Sequence, residues 1–228
     1  MPPTQPVNPL PAAGGGGSSS SSAASNLPGK PPTVEGRKAR ELTVAKLASS
    51  GLSEEVANEI GIYSLSGSET AETRLWGRAA YPAMIIPYRD PWEGETGFFR
   101  ARCLVDPLPT LPPGRDGKPR RVAKYTQPRE TPPRTYFPPL RTLDWRSLLE
   151  DPEHPLIITE GELKAIAACK AGFPAIALGG VWSFRSKARG IDLLPELERI
   201  AWRGRTVYVI FDSDLATNPE VERARWVL

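Results

Sequence analysis

Three carboxylates stand where metal-assisted chemistry would need them. Glu160 closes the apolar run Leu156-Ile157-Ile158-Thr159, and Asp212 and Asp214 follow Val207-Tyr208-Val209-Ile210-Phe211. Short apolar runs of this kind, bounded by turn residues and separated by helical patterns, predict buried parallel strands in βα units. Right-handed crossovers bring the carboxyl ends of such strands to one edge, where open α/β sheets bind ligands. Acids far apart in sequence are therefore expected to meet there. Without His or Cys among them they suit a hard divalent cation such as Mg²⁺, which takes one or two protein carboxylates and fills its octahedron with water and phosphate oxygens. Between the acids, Ala175-Ile176-Ala177-Leu178 runs into Gly179-Gly180, and paired glycines permit close backbone approach at the same edge.

A second constellation is cationic. In Gly97-Phe98-Phe99-Arg100-Ala101-Arg102-Cys103-Leu104-Val105, Phe99, Ala101 and Cys103 alternate with Arg100, Arg102 and Leu104, so a strand would carry two guanidinium groups on one face. That face is either wet or turned to phosphate. Beyond it, Arg120, Arg121 and Lys124 surround Tyr125, a mixture that suits single-stranded nucleic acid: cations follow the backbone while a tyrosine face stacks a base for roughly 1 to 3 kcal/mol. From Arg115 to Glu150 nine cations face four acids, so the rest of the chain is net negative although the whole carries +3. Positive charge gathered in one segment points to a phosphate-rich partner, the alternative being a solvated basic loop.

The elements that must position these groups divide the chain into four parts. Residues 1–36 are rich in Pro, Gly, Ser and Ala, with too little apolar area to offset ordering entropy, and are expected to form a flexible tether. Residues 37–68 predict two short helices, the second capped by Ser53 and stopped by Gly61. Residues 69–150 predict an antiparallel strand pair, Tyr81 to Tyr88 and Gly97 to Val105, then the basic loop and a Pro-rich aromatic stretch through Trp145. Residues 154–228 form the acidic module, with helices expected over Leu163 to Ala171, over Leu193 to Trp202, and from a cap at Asn218 with Pro219 behind it. The chain has 26 prolines in 228 residues, about twice the usual ~5%, and most precede that module. Two lone cysteines and one histidine exclude a Cys/His zinc site and a disulfide framework. No apolar run approaches the ~20 residues of a bilayer span, and the uncharged start lacks the features of a signal peptide, so a cytoplasmic location and no membrane partner are expected.

A Glu at one strand end, Gly-Gly at the next and Asp-x-Asp at a third resemble the toprim domain of primases and topoisomerases. Ile85-Ile86-Pro87-Tyr88-Arg89-Asp90, Gly97-Phe98-Phe99-Arg100-Ala101-Arg102 and Lys124-Tyr125-Thr126-Gln127-Pro128 resemble successive pieces of the bacterial primase catalytic core, so the resemblance covers roughly Leu42 to Leu228. Ile158-Thr159-Glu160-Gly161-Glu162-Leu163-Lys164-Ala165, Gly180-Val181-Trp182 and Phe211-Asp212-Ser213-Asp214 are similar to a toprim-like family of largely undetermined function in phage and plasmid replication proteins. The fold class implied is α/β: a toprim-like parallel sheet with flanking helices, truncated at its carboxyl end, preceded by a small α+β primase-core-like subdomain and a disordered tail. The resemblance also implies that Glu160, Asp212 and Asp214 hold Mg²⁺ or Mn²⁺ for nucleotidyl transfer, with Glu160 assisting proton transfer. Arg100, Arg102, Arg120, Arg121, Lys124, Tyr125, Gly179 and Gly180 would contact nucleotide or template. Single-stranded DNA and nucleoside triphosphates are the implied partners, with a replicative helicase or a downstream polypeptide completing the sheet.

Against this pattern, the chain stops fourteen residues beyond Asp214, so further metal acids are missing, and Ala216-Thr217-Asn218 replaces the usual glycine after the Asp pair. No helicase phosphate loop is present. Three other readings stay open: a toprim nuclease using the same acids, a non-catalytic nucleic-acid-binding or replisome module, and acids with structural duties only. The motif of aspartate-nucleophile phosphatases also fits Phe211 to Thr217, but it needs a lysine and further acids far downstream.

Overall fold

The structure is a computed structural model that describes residues 33–77, 79–114, 116–211 and 223. These belong to one compact unit, Pro32–Leu228. Helix α1 (Val34–Ala48) starts at Thr33, whose hydroxyl accepts from the Gly36 amide at 3.0 Å. Its buried residues Ala39, Thr43 and Leu47 recur every four positions and form the stripe that packs inward. Helix α2 (Glu54–Ile60) ends at Gly61 in the left-handed conformation, φ +80°, where glycine carries no Cβ penalty. Ser53 stands at its N-cap position but does not cap: its hydroxyl pairs with Glu55, holding that carboxyl below its usual range.

Strand β1 (Tyr63–Leu65), helix α3 (Gly67–Thr73), strand β2 (Ala83–Asp90) and strand β3 (Gly94–Cys103) follow. The antiparallel pairing of β2 and β3 expected from their alternation is present, and the strands reach closer to the turn than the sequence suggests. The carboxylate of Asp90 accepts from the amides of Trp92 and Glu93 at 2.8 and 3.0 Å and folds the turn onto itself. The basic segment is less loop-like than its composition implies. Strands β4 (Thr110–Leu111) and β5 (Arg120–Arg121) make a small separate hairpin, and β6 (Tyr125–Thr126) zips onto the edge of β3 to give the sheet order β1-β2-β3-β6.

Beyond helix α4 (Trp145–Glu150) the module is parallel: strand β7 (Leu156–Glu160), helix α5 (Glu162–Lys170), strand β8 (Ala175–Leu178), helix α6 (Pro195–Glu198) and strand β9 (Val207–Ile210), in the order β8-β7-β9. The helix expected over Leu193 to Trp202 is only the four residues of α6. Its Leu197 carbonyl is taken by the Trp202 indole at 2.7 Å, which turns the chain away.

One apolar core spans both sheets. Met84, Ile86, Tyr88 and Phe98 from the antiparallel sheet pack with Tyr136, Phe137 and Trp145 and with Leu156, Ile158, Ile166 and Ile176 of the parallel module. The backbones also join, since Tyr136 and Ala177 exchange two hydrogen bonds of 2.9 Å. Leu65, Leu75, Ala83, Ile85 and Ala101 form a smaller cluster with Phe99 packed against it. The Arg100 face of β3 is therefore the inner face, because Phe98 and Leu104 share that face with the two arginines and pack against the main core.

Candidate functional site

At the carboxyl end of β7 the chain passes from Glu160 through Gly161 into α5. Gly161 adopts φ +89° and ψ 134°, a conformation L-residues rarely accept, so strand and helix join without a connecting loop. Glu160 and Glu162 consequently lie on either side of one sharp elbow. Parallel pairing of Thr159 with Ile210 sets Glu160 level with Phe211, the residue before Asp212. Asp212, Asp214 and the cap at Asn218 lie outside the described residues.

Glu162, the first residue of α5, is fully buried. Its carboxylate accepts from the Tyr88 hydroxyl at 2.7 Å and from Nη1 of Arg100 at 2.9 Å, and that same Nη1 donates to the Gly179 carbonyl at 2.9 Å. Burial pulls the Arg100 guanidinium down, but the charge and hydrogen bond of Glu162, with Tyr88 and Tyr125 beside it, together outweigh this and leave its pKa raised. Burial, and then Glu162, push the Tyr88 hydroxyl well above its usual range. Gly179 has no room for a side chain: a Cβ there would sit 2.7 Å from Arg100 Nη1. The close approach expected at the paired glycines is thus made by Arg100.

In front of this pair opens a cleft of about 290 Å³, near the lower end of small-ligand pockets. Lys46 of α1 and Ser50 just beyond it, Arg100 and Arg102 of β3, Lys124 and Tyr125, Glu160 to Lys164, and Gly179 line it. Edge pairing explains the position of the Lys-Tyr dipeptide. Cys103 donates its amide to the Lys124 carbonyl at 2.9 Å, and Tyr125 stands opposite Arg102. The Tyr125 ring lies 4.8 Å from the Arg100 guanidinium and 5.2 Å from that of Arg102, and its hydroxyl accepts from Arg102 Nη1 at 2.9 Å. Burial, then the positive charges of Arg102 and Lys124, lower the Lys46 ammonium, so three cations share one wall.

Six residues singled out from the sequence meet here: Arg100, Arg102, Lys124, Tyr125, Glu160 and Gly179. Arg120 and Arg121 do not line the cleft; they are exposed in the β4–β5 hairpin. Gly180 lies just outside the lining and starts a turn, its carbonyl accepting from the Ser183 amide at 2.8 Å. Six lining residues were not candidates from the sequence: Lys46, Ser50, Gly161, Glu162, Leu163 and Lys164. The stripe of Ala39, Thr43 and Leu47 orients α1, and Lys46 neighbours it; no local pattern marks Glu162, which reads as an ordinary first-turn acid.

Glu160, exposed to the cleft with an oxygen donor, fits a hard cation chemically, while Glu162 is already committed to Arg100 and Tyr88. Among the described residues no group of three or more His, Cys, Asp or Glu is placed to hold a metal.

Comparison with known proteins agrees with this architecture. Residues 144–226 match the model of a domain of unknown function, DUF3854. An uncharacterized protein of Picosynechococcus sp. is 37% identical over 79 residues, 31% of this chain but 8% of that protein. Among solved structures, the DnaG primase catalytic domain bound to single-stranded DNA aligns at TM-score 0.50 and 18% identity, over 82% of this chain and 58% of that one. The RNA polymerase domain of Mycobacterium tuberculosis primase DnaG aligns at TM-score 0.51 and 18% identity, over 78% of this chain and 61% of that one, and at TM-score 0.52 in its complex with double-stranded DNA. The chain thus spans about three fifths of these solved chains. Its two sheets, parallel and antiparallel, with their flanking helices, have the fold of the DnaG primase catalytic core.

Proposed function

We propose that this chain carries out, or contributes the core of, primase-like nucleotidyl transfer on a single-stranded DNA template in phage- or plasmid-type replication. The observation that carries the reading is the cleft: Lys46, Arg102, Lys124 and Tyr125, from three separate segments, face the Glu160 edge of the parallel sheet within a primase-core fold. The cations would hold nucleotide or template phosphates and Tyr125 would meet a base or ribose, while Glu160, with Asp212 and Asp214, would hold Mg²⁺ or Mn²⁺. Such an ion supplies charge neutralisation at phosphate and a lowered pKa for the attacking hydroxyl.

The test is ribonucleotide incorporation on a single-stranded template with Mg²⁺ or Mn²⁺. Incorporation by the wild type that Glu160→Gln abolishes is the expected result. Nicking of supercoiled DNA under the same ions, without incorporation, would assign the acids to a nuclease instead. A second reading, a binding module without catalysis, is favoured by the cationic wall itself, which needs no acid; single-stranded DNA binding unaffected by Glu160→Gln, with neither activity, would establish it.

A further inference from the structure

Arg100 and Arg102 lie two residues apart on the inner face of β3, yet they are partnered in opposite ways. The Arg100 side chain is 12% exposed and its Nη1 is divided between the Glu162 carboxylate and the Gly179 carbonyl, both at 2.9 Å. Arg102 gives Nη1 to a neutral phenol, and its Nε is buried with no hydrogen-bond partner. Among the described residues neither Arg102 nor Lys46 nor Lys124 forms an ion pair with an acid. We infer that Glu162 is a built-in counterion that withdraws Arg100 from anion binding and leaves phosphate recognition in the cleft to Lys46, Arg102 and Lys124. This rests on the reading of the cleft as a nucleotide or nucleic-acid site.

The physical case is one of competition for a single guanidinium. A phosphate taking Nη1 of Arg100 would have to displace a fully buried carboxylate that also accepts from Tyr88 at 2.7 Å, leaving that carboxylate uncompensated in the core. The guanidinium fills the space that a Cβ at position 179 would need, 2.7 Å from Nη1, and its bond to the Gly179 carbonyl holds it there. On the other wall no such obstacle exists. The positive charges of Arg102 and Lys124 already lower the Lys46 ammonium, after burial, and an incoming phosphate relieves that repulsion. Glu162 thus sets which wall reads the anion and holds Arg100 as a strut between the two sheets.

The inference is tested by the salt dependence of binding of a fluorescein-labelled oligothymidylate, with inorganic tripolyphosphate titrated in parallel. Each phosphate contact to single-stranded DNA contributes about 0.7 to the slope of log K against log salt. The paired replacement Arg100→Gln/Glu162→Gln, which removes both charges and keeps hydrogen-bonding amides, is expected to leave the wild-type slope unchanged. Lys124→Ala is expected to reduce it by about 0.7, and Glu162→Gln alone, which releases Arg100, to steepen it by about 0.7. Losses seen with the oligonucleotide assign the cationic wall to a strand's phosphodiesters; losses confined to tripolyphosphate assign it to a nucleotide's triphosphate. A paired variant whose slope falls as far as that of Lys124→Ala overturns the inference. Wild type that binds neither probe would defeat the reading of the cleft itself. The inference then turns on a double-mutant cycle in urea unfolding, where additive effects of Arg100→Gln and Glu162→Gln would end it.

Discussion

At the scale of single residues, the groups with the most perturbed chemistry are those that the core encloses. Burial, set against only a weak bond from the Ala175 amide, pushes the Cys169 thiol up to about 11. Its folded value lies above the ordinary 9.0, so the folded state favours the protonated thiol. That preference stabilises fully below pH 9 and is lost as pH rises through 11. We expect Cys169 to contribute roughly 2 to 3 kcal/mol to a fall in stability between those limits. Urea denaturation from pH 8 to 11 should therefore show a flatter profile in Cys169→Ala than in wild type, and parallel profiles would contradict the assignment. Such a thiol is illegible in the sequence, where Cys169 is one apolar residue in a helix. The same is true of Glu162. The alternation of Arg100 and Arg102 shows that they share a face, but only the fold reveals that Phe98 and Leu104 turn that face inward and that an acid 62 residues away is seated on one of the two.

At the scale of elements, the strands that carry the site were readable because their residues repeat with the periods of their environments. The apolar runs ending at Glu160 and Leu178 are buried parallel strands, and the alternation after Gly97 is one of a half-buried antiparallel pair. Helix ends were less legible, since long-range side chains decide them. Arg205 is the clearest example. Its guanidinium donates to the carbonyls of Leu148, Leu149, Asp151, His154 and Ala201 at 2.6 to 3.1 Å and satisfies the end of α4 from the loop before β9. Arg205→Ala leaves several of these groups without a donor and is expected to cost at least about 3 kcal/mol, with Arg205→Lys recovering only part because an ammonium lacks the planar fork. Urea unfolding followed by circular dichroism measures both. A loss below 1 kcal/mol for the alanine variant would show that water replaces the fork.

At the scale of the whole molecule, the site exists because two differently built sheets share a core. The antiparallel sheet supplies Arg100, Arg102, Lys124 and Tyr125, the parallel sheet supplies Glu160, Glu162 and Gly179, and α1 closes the cleft with Lys46. The Pro-rich stretch between them is not a spacer: Tyr136 and Phe137 are buried, and Tyr136 bonds directly to Ala177. Sequence patterning identified both halves, and the basic segment between them, but not which cations of that segment face the acids. Arg120 and Arg121 stand next to Lys124 in sequence and leave the cleft because β5 pairs with β4 instead of β3. No described helix is long and apolar enough to cross a membrane. Whether the cleft, and not the exposed hairpin, meets nucleic acid is read most directly by photo-crosslinking of a bromodeoxyuridine-substituted single-stranded oligonucleotide, with the modified peptides mapped by mass spectrometry. We expect a dominant crosslink at Tyr125, suppressed by excess tripolyphosphate. Crosslinks confined to residues 110–121 that tripolyphosphate leaves untouched would contradict it.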